Sequence, residues 1–364
     1  MNFDLQSLKK YIPANLLQQL TPARKAVNLA PQRVIACDFG RSKIVFLEIE
    51  KSVAGVELIR FHKIARPDDP AKVKEELKKE LESGGYLTNR VRMAVKGQGV
   101  IIRFAHFPQM KPEDLRSSIG FEIEQYIPFK SHEVMVDFQI IDPEITLDSG
   151  KGMNVLLVAV KRDDLNSNLA VFQETGFQVE LVDVDALALL NALEFLAPED
   201  FQSSAGILDI GTEISTLSIV QAGKPRFIRD ISYGGLDIIK RLKRKLGLTH
   251  EAALQQLEVD RKPTPEATEV LKEGIEGLVS DLRVSLNYYL DQINGAVPLN
   301  KLYVAGGGGY HPIVLETLTT QLGISTQILE AGNKIKLAST VDAEMFKKNQ
   351  GLLTVPLGLC LRDL

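Results

Sequence analysis

The chain contains no tryptophan and only two cysteines, Cys37 and Cys360, among its 364 residues. Both cysteines lie inside apolar runs and read as small buried hydrophobes. A disulfide framework is therefore excluded, and a cytosolic setting is expected. No apolar stretch reaches the ~18 residues that a membrane span requires. Residues 1–10, MNFDLQSLKK, lack the apolar centre of a signal peptide. Positive charge is not in excess: 43 Lys and Arg stand against 47 Asp and Glu, a formal net charge of −4. That removes the electrostatic reason to expect nucleic acid as a main partner. The histidines, His62, His106, His132, His250 and His311, show no metal-ligand spacing. No GxSxG, HExxH or P-loop pattern occurs.

What remains is an ordinary globular composition, long enough for two domains or one large bilobal one. Residues 1–32 stand apart. Phe3, Leu8, Ile12, Leu16 and Leu20 recur near helical spacing, interrupted by Pro13, Pro22 and Pro31. They read as a helical arm, packed on its own domain or touching a partner or membrane surface. Strands are expected at 34–38, 44–50 and 56–60, a helix at 70–82, and strands at 90–95 and 100–107. The segment FEIEQYIPFKSHEVMVDFQII, residues 121–141, reads as helix, proline turn and strand, because Pro128 cannot continue the helical ladder. Further on come a strand at 153–160, a helix at 163–174, a strand at 178–184 and a helix at 186–196.

The second half then starts again in the same order: strand 205–209, a turn at Gly211, and strands 215–221 and 226–232. An internal duplication is the simplest account. The basic run KRLKRK at 240–245 reads as a solvated helix face. Leu271, Ile275, Leu278, Leu282, Leu286, Tyr289 and Ile293 mark a long amphipathic helix. A strand at 301–305, a glycine run, a helix near Pro312 and an apolar helix at 354–361 close the chain.

Three glycine turns occupy matching places. Asp38-Phe39-Gly40 ends the first strand of one half, and Asp209-Ile210-Gly211 ends the first strand of the other. Gly306-Gly307-Gly308-Gly309 joins a strand to a helix. A tight glycine turn lets backbone N–H groups approach a phosphate, and an adjacent aspartate can hold a hydrated Mg²⁺. A glycine run opening a helix aims its positive end at an anion.

This set resembles the phosphate and adenosine motifs of the actin, Hsp70 and sugar-kinase superfamily. Within it, EQYIPF and the order of the surrounding stretches from residue 34 to 364 resemble the PilM family. Those are actin-like cytoplasmic proteins of the type IV pilus inner-membrane platform. The resemblance implies an α/β fold, a duplicated, ribonuclease H-like two-lobe ATPase fold with a small inserted subdomain. The implied division is an N-terminal extension at 1–32, a first lobe at 33–95 and 181–204, and an insertion at 96–180. A second lobe follows at 205–235 and 300–364, with a helical subdomain at 236–299. ATP or ADP with Mg²⁺ is the implied cofactor. The residues it assigns are Asp38, Gly40, Arg41, Ser42, Lys43, Asp209, Gly211, Thr212, Gly306, Gly307 and Gly308, with Asp38 and Asp209 reaching the metal through water.

The implied partner is the tail of a PilN-like bitopic membrane protein, alongside other platform or motor components, at the inner face of the cytoplasmic membrane. Tyr126, Ile127, Pro128 and Phe129, with Ile101 and Phe104 on an edge strand, are the implied contact residues. A homo-oligomer stays open. Two rival readings are an FtsA- or MreB-like filament protein and a small-molecule kinase of the same superfamily, for which no base or substrate motif is found.

The chain departs from the family at two places. The family turn resembles D-x-G-S-S-x-x-K, whereas Arg41 follows Gly40 here and Val45 holds the lysine position. Lys43 lies two residues away, about 7 Å along a strand. In the long helix the family arginine, a candidate neighbour of adenine, is Val284, with Arg283 on another face. Weak nucleotide binding with little or no turnover is the expectation.

Overall fold

The structure is a computed structural model that describes residues 31–148, 150–257, 263–308 and 311–362. The expected arm at 1–32 falls almost wholly outside the described residues, as does Gly309. In the first lobe, β1 (Gln32–Phe39), β2 (Lys43–Ser52) and β3 (Gly55–Ala65) form an antiparallel meander. Helix α1 (Pro70–Ser83) follows, started by Asp69, whose side chain accepts from the N–H of Ala71, and β4 (Arg90–Val95) returns parallel to β1. Next come β5 (Val100–Pro108), α2 (Pro112–Glu122), β6 (Val134–Leu147) and β7 (Gly150–Lys161). These strands make a separate three-stranded sheet in the order β5-β7-β6. Helix α3 (Arg162–Thr175) and β8 (Gln178–Val184) complete this half.

Helices α4 (Asp185–Leu196) and α5 (Pro198–Gln202) lead into the second lobe. It holds β9 (Ser204–Ile210), β10 (Ser215–Gln221), β11 (Lys224–Ile231), α6 (Gly235–Leu246), α7 (His250–Gln255) and α8 (Pro265–Gln292). Then come β12 (Lys301–Ala305), α9 (Pro312–Leu322), β13 (Ser325–Ile328), β14 (Ile335–Leu337), α10 (Ala343–Lys348) and α11 (Gln350–Leu361).

The duplication is explicit in strand order. The first sheet runs β14-β3-β2-β1-β4-β8 and the second β11-β10-β9-β12-β13. Apart from β14, both are an antiparallel meander continued by two parallel strands. Strand β1 is apolar on both faces because both are covered. Val34 and Ala36 face one core, while Ile35 and Cys37 face another. Between the two sheets lie α4 and α11, packed in a shared core with residues of both lobes. Helices α1 and α3 back the first sheet, and α6, α8 and α9 back the second.

The insertion is shorter than the 96–180 expected. Leu165, Leu169 and Phe172 of α3 pack into the first-lobe core, and β8 pairs in parallel with β4. The sheet up to residue 161 with α2 has its own core of Leu115, Ile119, Ile123, Val155 and Leu157 and also packs Val100, Ile102, Val158 and Val160 against the first-lobe core. Strand β14, expected with the second lobe, pairs instead with β3.

Backbone meets backbone where α4 and α11 cross. A Cβ at Gly358 would stand 1.7 Å from the carbonyl oxygen of Ala188, so only glycine fits there. Gly120, inside α2, has nothing within 4 Å of its Cβ position. Overpacking a core costs about 1–3 kcal/mol or more, whereas replacing a helical glycine by alanine gains about 0.5–1 kcal/mol. Gly358→Ala is therefore expected to lose at least about 3 kcal/mol in urea denaturation, or to fail to fold, and Gly120→Ala to gain slightly. Equal effects from the two substitutions would contradict this packing.

Candidate functional site

The two Asp-x-Gly turns end β1 and β9 in the same way. A Cβ on Gly40 would lie 2.7 Å from the oxygen of Lys43, and one on Gly211 would lie 2.6 Å from that of Ile214. Across the gap the tips touch. Ser42 Oγ and Thr212 Oγ1 are 2.8 Å apart, and Arg41 Nε stands 3.6 Å from Glu213 Oε1. The glycine run closes the third side. Gly306, at φ +81, gives its N–H to the oxygen of Gly351, and a Cβ there would strike Asp209 Oδ1. Gly308 gives its N–H to the oxygen of Ile210 and lies against Gly235. All described members of the three turns are thus brought together, although they are far apart in sequence.

Two residues that sequence reasoning missed stand at the centre. Lys96 follows the last residue of β4, and its Nζ lies 2.7 Å from Asp185 Oδ2 and 3.5 Å from Asp38 Oδ1. Asp185 opens α4 and is buried, and its Oδ1 has no hydrogen-bond partner among the described residues. Burial works against the Lys96 charge, but Asp185, Asp38 and Asp209 outweigh it and hold the ammonium protonated. Burial raises Asp185 above the usual carboxylate range, opposed by Lys96 and reinforced by Asp38 and Asp209. Asp209 is raised by burial first, opposed by Lys96 and reinforced by Asp38 and Asp230. The available signal was positional: a charged residue directly after an apolar strand marks the carboxyl end of a sheet, where ligands bind.

Three carboxylates against one ammonium leave a negative centre. Among the described residues, no three His, Cys, Asp or Glu side chains are grouped so as to hold a metal ion directly. The unpartnered Asp185 oxygen and the excess negative charge fit a hydrated divalent cation held through water, with the turn amides for phosphate.

Lys43 and Val45 lie in different surroundings. Val45 is a core residue, 1% exposed, but Nζ of Lys43 reaches to 3.3 Å from the Cβ position of Gly307. Burial, then Lys63, lowers its pKa. Val284 is not at the cleft. The cleft end of α8 is marked by Gly274, whose oxygen accepts from the Tyr233 hydroxyl, and the far end by Tyr289, bonded to Gln221. Val284 lies about 15 Å along the helix from Gly274, on an outward face and 55% exposed.

The expected contact residues divide. Ile127 is buried in the insertion's own core, and the Tyr126 ring packs 5.6 Å from that of Phe107. Pro128 is exposed. Phe129 is half-buried, with Lys161 Nζ 4.5 Å from its ring centre. Arg162 Nε donates to the oxygen of His132 at 3.1 Å, which docks this turn where the insertion returns to α3. Ile101 and Phe104 are half-buried on β5, an edge strand that runs beside β11.

Two sheets that share a five-strand order, with paired Asp-x-Gly turns around a central cleft, define an actin-like two-lobe protein. A family model for the type IV pilus assembly protein PilM matches residues 42–364, and the chain belongs to that family. The PilM–PilN type IV pilus biogenesis complex superposes with a TM-score of 0.78 at 23% identity, covering 90% of this chain and 98% of that one. The ethanolamine utilization protein EutJ from Carboxydothermus hydrogenoformans gives 0.55 at 16%, covering 95% and 96%. At these identities both likenesses speak to fold. Among the described residues no helix is long and apolar enough to cross a membrane.

Removing the central cation tests the site. Lys96→Met is expected to cost about 1–3 kcal/mol in urea denaturation, less than a fully buried pair because a third of the side chain meets solvent. Asp185→Asn in the same chain should recover most of it. Folded carboxylates of raised pKa bind protons that the unfolded chain does not, so the deficit should grow as pH rises through their folded values. Millimolar Mg²⁺ should reduce it. A Lys96→Met chain as stable as its parent would show that the ammonium does not hold the cluster.

Proposed function

We propose that this chain is a cytoplasmic adaptor of the type IV pilus, or a related secretion, inner-membrane platform. Its insertion holds the cytoplasmic tail of a PilN-like membrane protein. The supporting observation is membership of the PilM family together with a self-contained insertion docked on the first lobe through the 128–133 turn. The tail is an extended, apolar-rich peptide, seated at the junction of the insertion with its parent lobe. Phe129 and Pro128 offer apolar surface there, and the edge of β5 offers main-chain groups for strand addition. Aromatic side chains bury much area at low entropic cost, which makes Phe129 the expected anchor.

A titration of the tail peptide separates anchor from core. Phe129 is half-buried against the insertion's own core, as Tyr126 is, so Phe129→Ala is expected to weaken binding about tenfold, or about 1.4 kcal/mol, beyond any loss in melting temperature. Tyr126→Ala should lower the melting temperature, because its ring packs on Phe107. Unchanged affinity in Phe129→Ala would move the site elsewhere.

The cleft binds ATP or ADP with Mg²⁺ weakly and turns it over little. Asp38 and Asp209 hold the hydrated metal, Lys43 faces the phosphates, and the glycine turns supply amides. Mg²⁺, when bound, neutralises phosphate charge. Binding must first part Ser42 from Thr212 and Arg41 from Glu213, which offsets the affinity those groups provide. Calorimetry should give a dissociation constant weaker than about 10 µM, above about −7 kcal/mol. Tight binding with sustained phosphate release would overturn this.

A further inference from the structure

Strand β6 is irregular at one place: its register against β7 shifts on both sides of Asp142. Bulges of this kind re-aim a side chain. Here the carboxylate is turned out of the insertion and onto the second lobe. Asp142 Oδ1 receives Lys224 Nζ at 2.7 Å, and Oδ2 receives Arg226, both from β11. Asn154, opposite on β7, donates to Oδ2 at 3.2 Å. The two cations come from one lobe and the anion from a body inserted in the other. Partial burial would raise the Asp142 pKa, but the bonds from Lys224, Arg226 and Asn154 prevail and hold it down at about 2. Nearby, Arg103 of β5 lies close enough to favour the charge of Asp230 on β11.

The same insertion is fixed to the first lobe. Its chain enters after Lys96 and leaves at Lys161, and Val100, Ile102, Val158 and Val160 pack against the first-lobe core. It therefore spans both lobes. We propose that the insertion is a strut, clamped to the second lobe by Asp142 through Lys224 and Arg226, so that the lobes part only when this clamp is released or the insertion swings with the second lobe. The clamp is remote from the Asp-x-Gly turns and needs neither nucleotide nor partner. Charge-assisted, forked bonds of this kind are geometrically specific. Losing the carboxylate leaves two cations facing each other.

The test uses the full chain without nucleotide. Spin labels at Asp137→Cys on the insertion and Glu269→Cys on α8 occupy exposed side chains, while Cys37 and Cys360 are buried. The parent should give one narrow distance distribution. Asp142→Asn should broaden and lengthen it, and Lys224→Gln with Arg226→Gln should do the same from the other side. Combining both sets should add little, because they break one interaction. Amide exchange at residues 140–147 and 224–229 should speed at least about tenfold while β7 stays protected. If β7 loses protection in Asp142→Asn, the second-lobe variant decides. Broadening there with β7 protected supports the clamp, and an unchanged distribution overturns it. Additive effects would also overturn it.

Discussion

Everything in this molecule hangs on the crossing of α4 and α11, where Gly358 lets one backbone lie on another. These helices are the shared middle layer between two sheets, so their separation sets how far apart the sheets can stand. Because β1 leads to Asp38 and β9 to Asp209, the same separation sets the width of the cleft. A side chain at 358 would strike the carbonyl of Ala188 and press these two layers apart. The tips of the cleft and the floor of the core are thus one mechanical system. Glycine is required for steric reasons both at the floor, against Ala188, and at the rim, where a Cβ on Gly40 or Gly211 would strike its own turn.

The fold was largely legible from sequence because its central strands β1, β2, β9 and β10 are buried on both faces. Apolar runs bounded by Asp-x-Gly placed β1 and β9, and the repeated order announced the duplication. Strands at 90–95, 178–184, 215–221 and 301–305 occur where apolar content alone put them. The end of the insertion was not legible. An amphipathic helix such as α3 shows that it has a buried face but not which body covers it. Strand β14 was hidden for a similar reason: three residues carry no periodicity, and only pairing with β3 makes them a strand.

The candidate site was half legible. Tight turns use glycine, which is conspicuous, so Gly40, Gly211 and the 306–308 run stood out in the sequence, and the structure brings them together. Lys96 and Asp185 carry no motif, since their role comes from meeting at the ends of two strands that are distant in the chain. Two departures from the family motif look different in three dimensions. Lys43 reaches the glycine run although Val45 is buried in the core, and Val284 sits on an exposed stretch of helix about 15 Å from Gly274. Side-chain reach and helix direction are three-dimensional facts that a position-by-position comparison does not contain.

The return of β14 to the first lobe has a consequence for biosynthesis. The first sheet takes one edge strand from residues 335–337, and its inner face is covered by α11, which ends at residue 361. Nearly the whole chain must leave the ribosome before the lobe encoded first is complete. Until then β3 presents an open edge, and the Val45, Leu47 and Ile49 face of β2 lacks its cover. Such surfaces are where unintended strand pairing begins. A first lobe that lacks residues 335–361 is therefore open at both places.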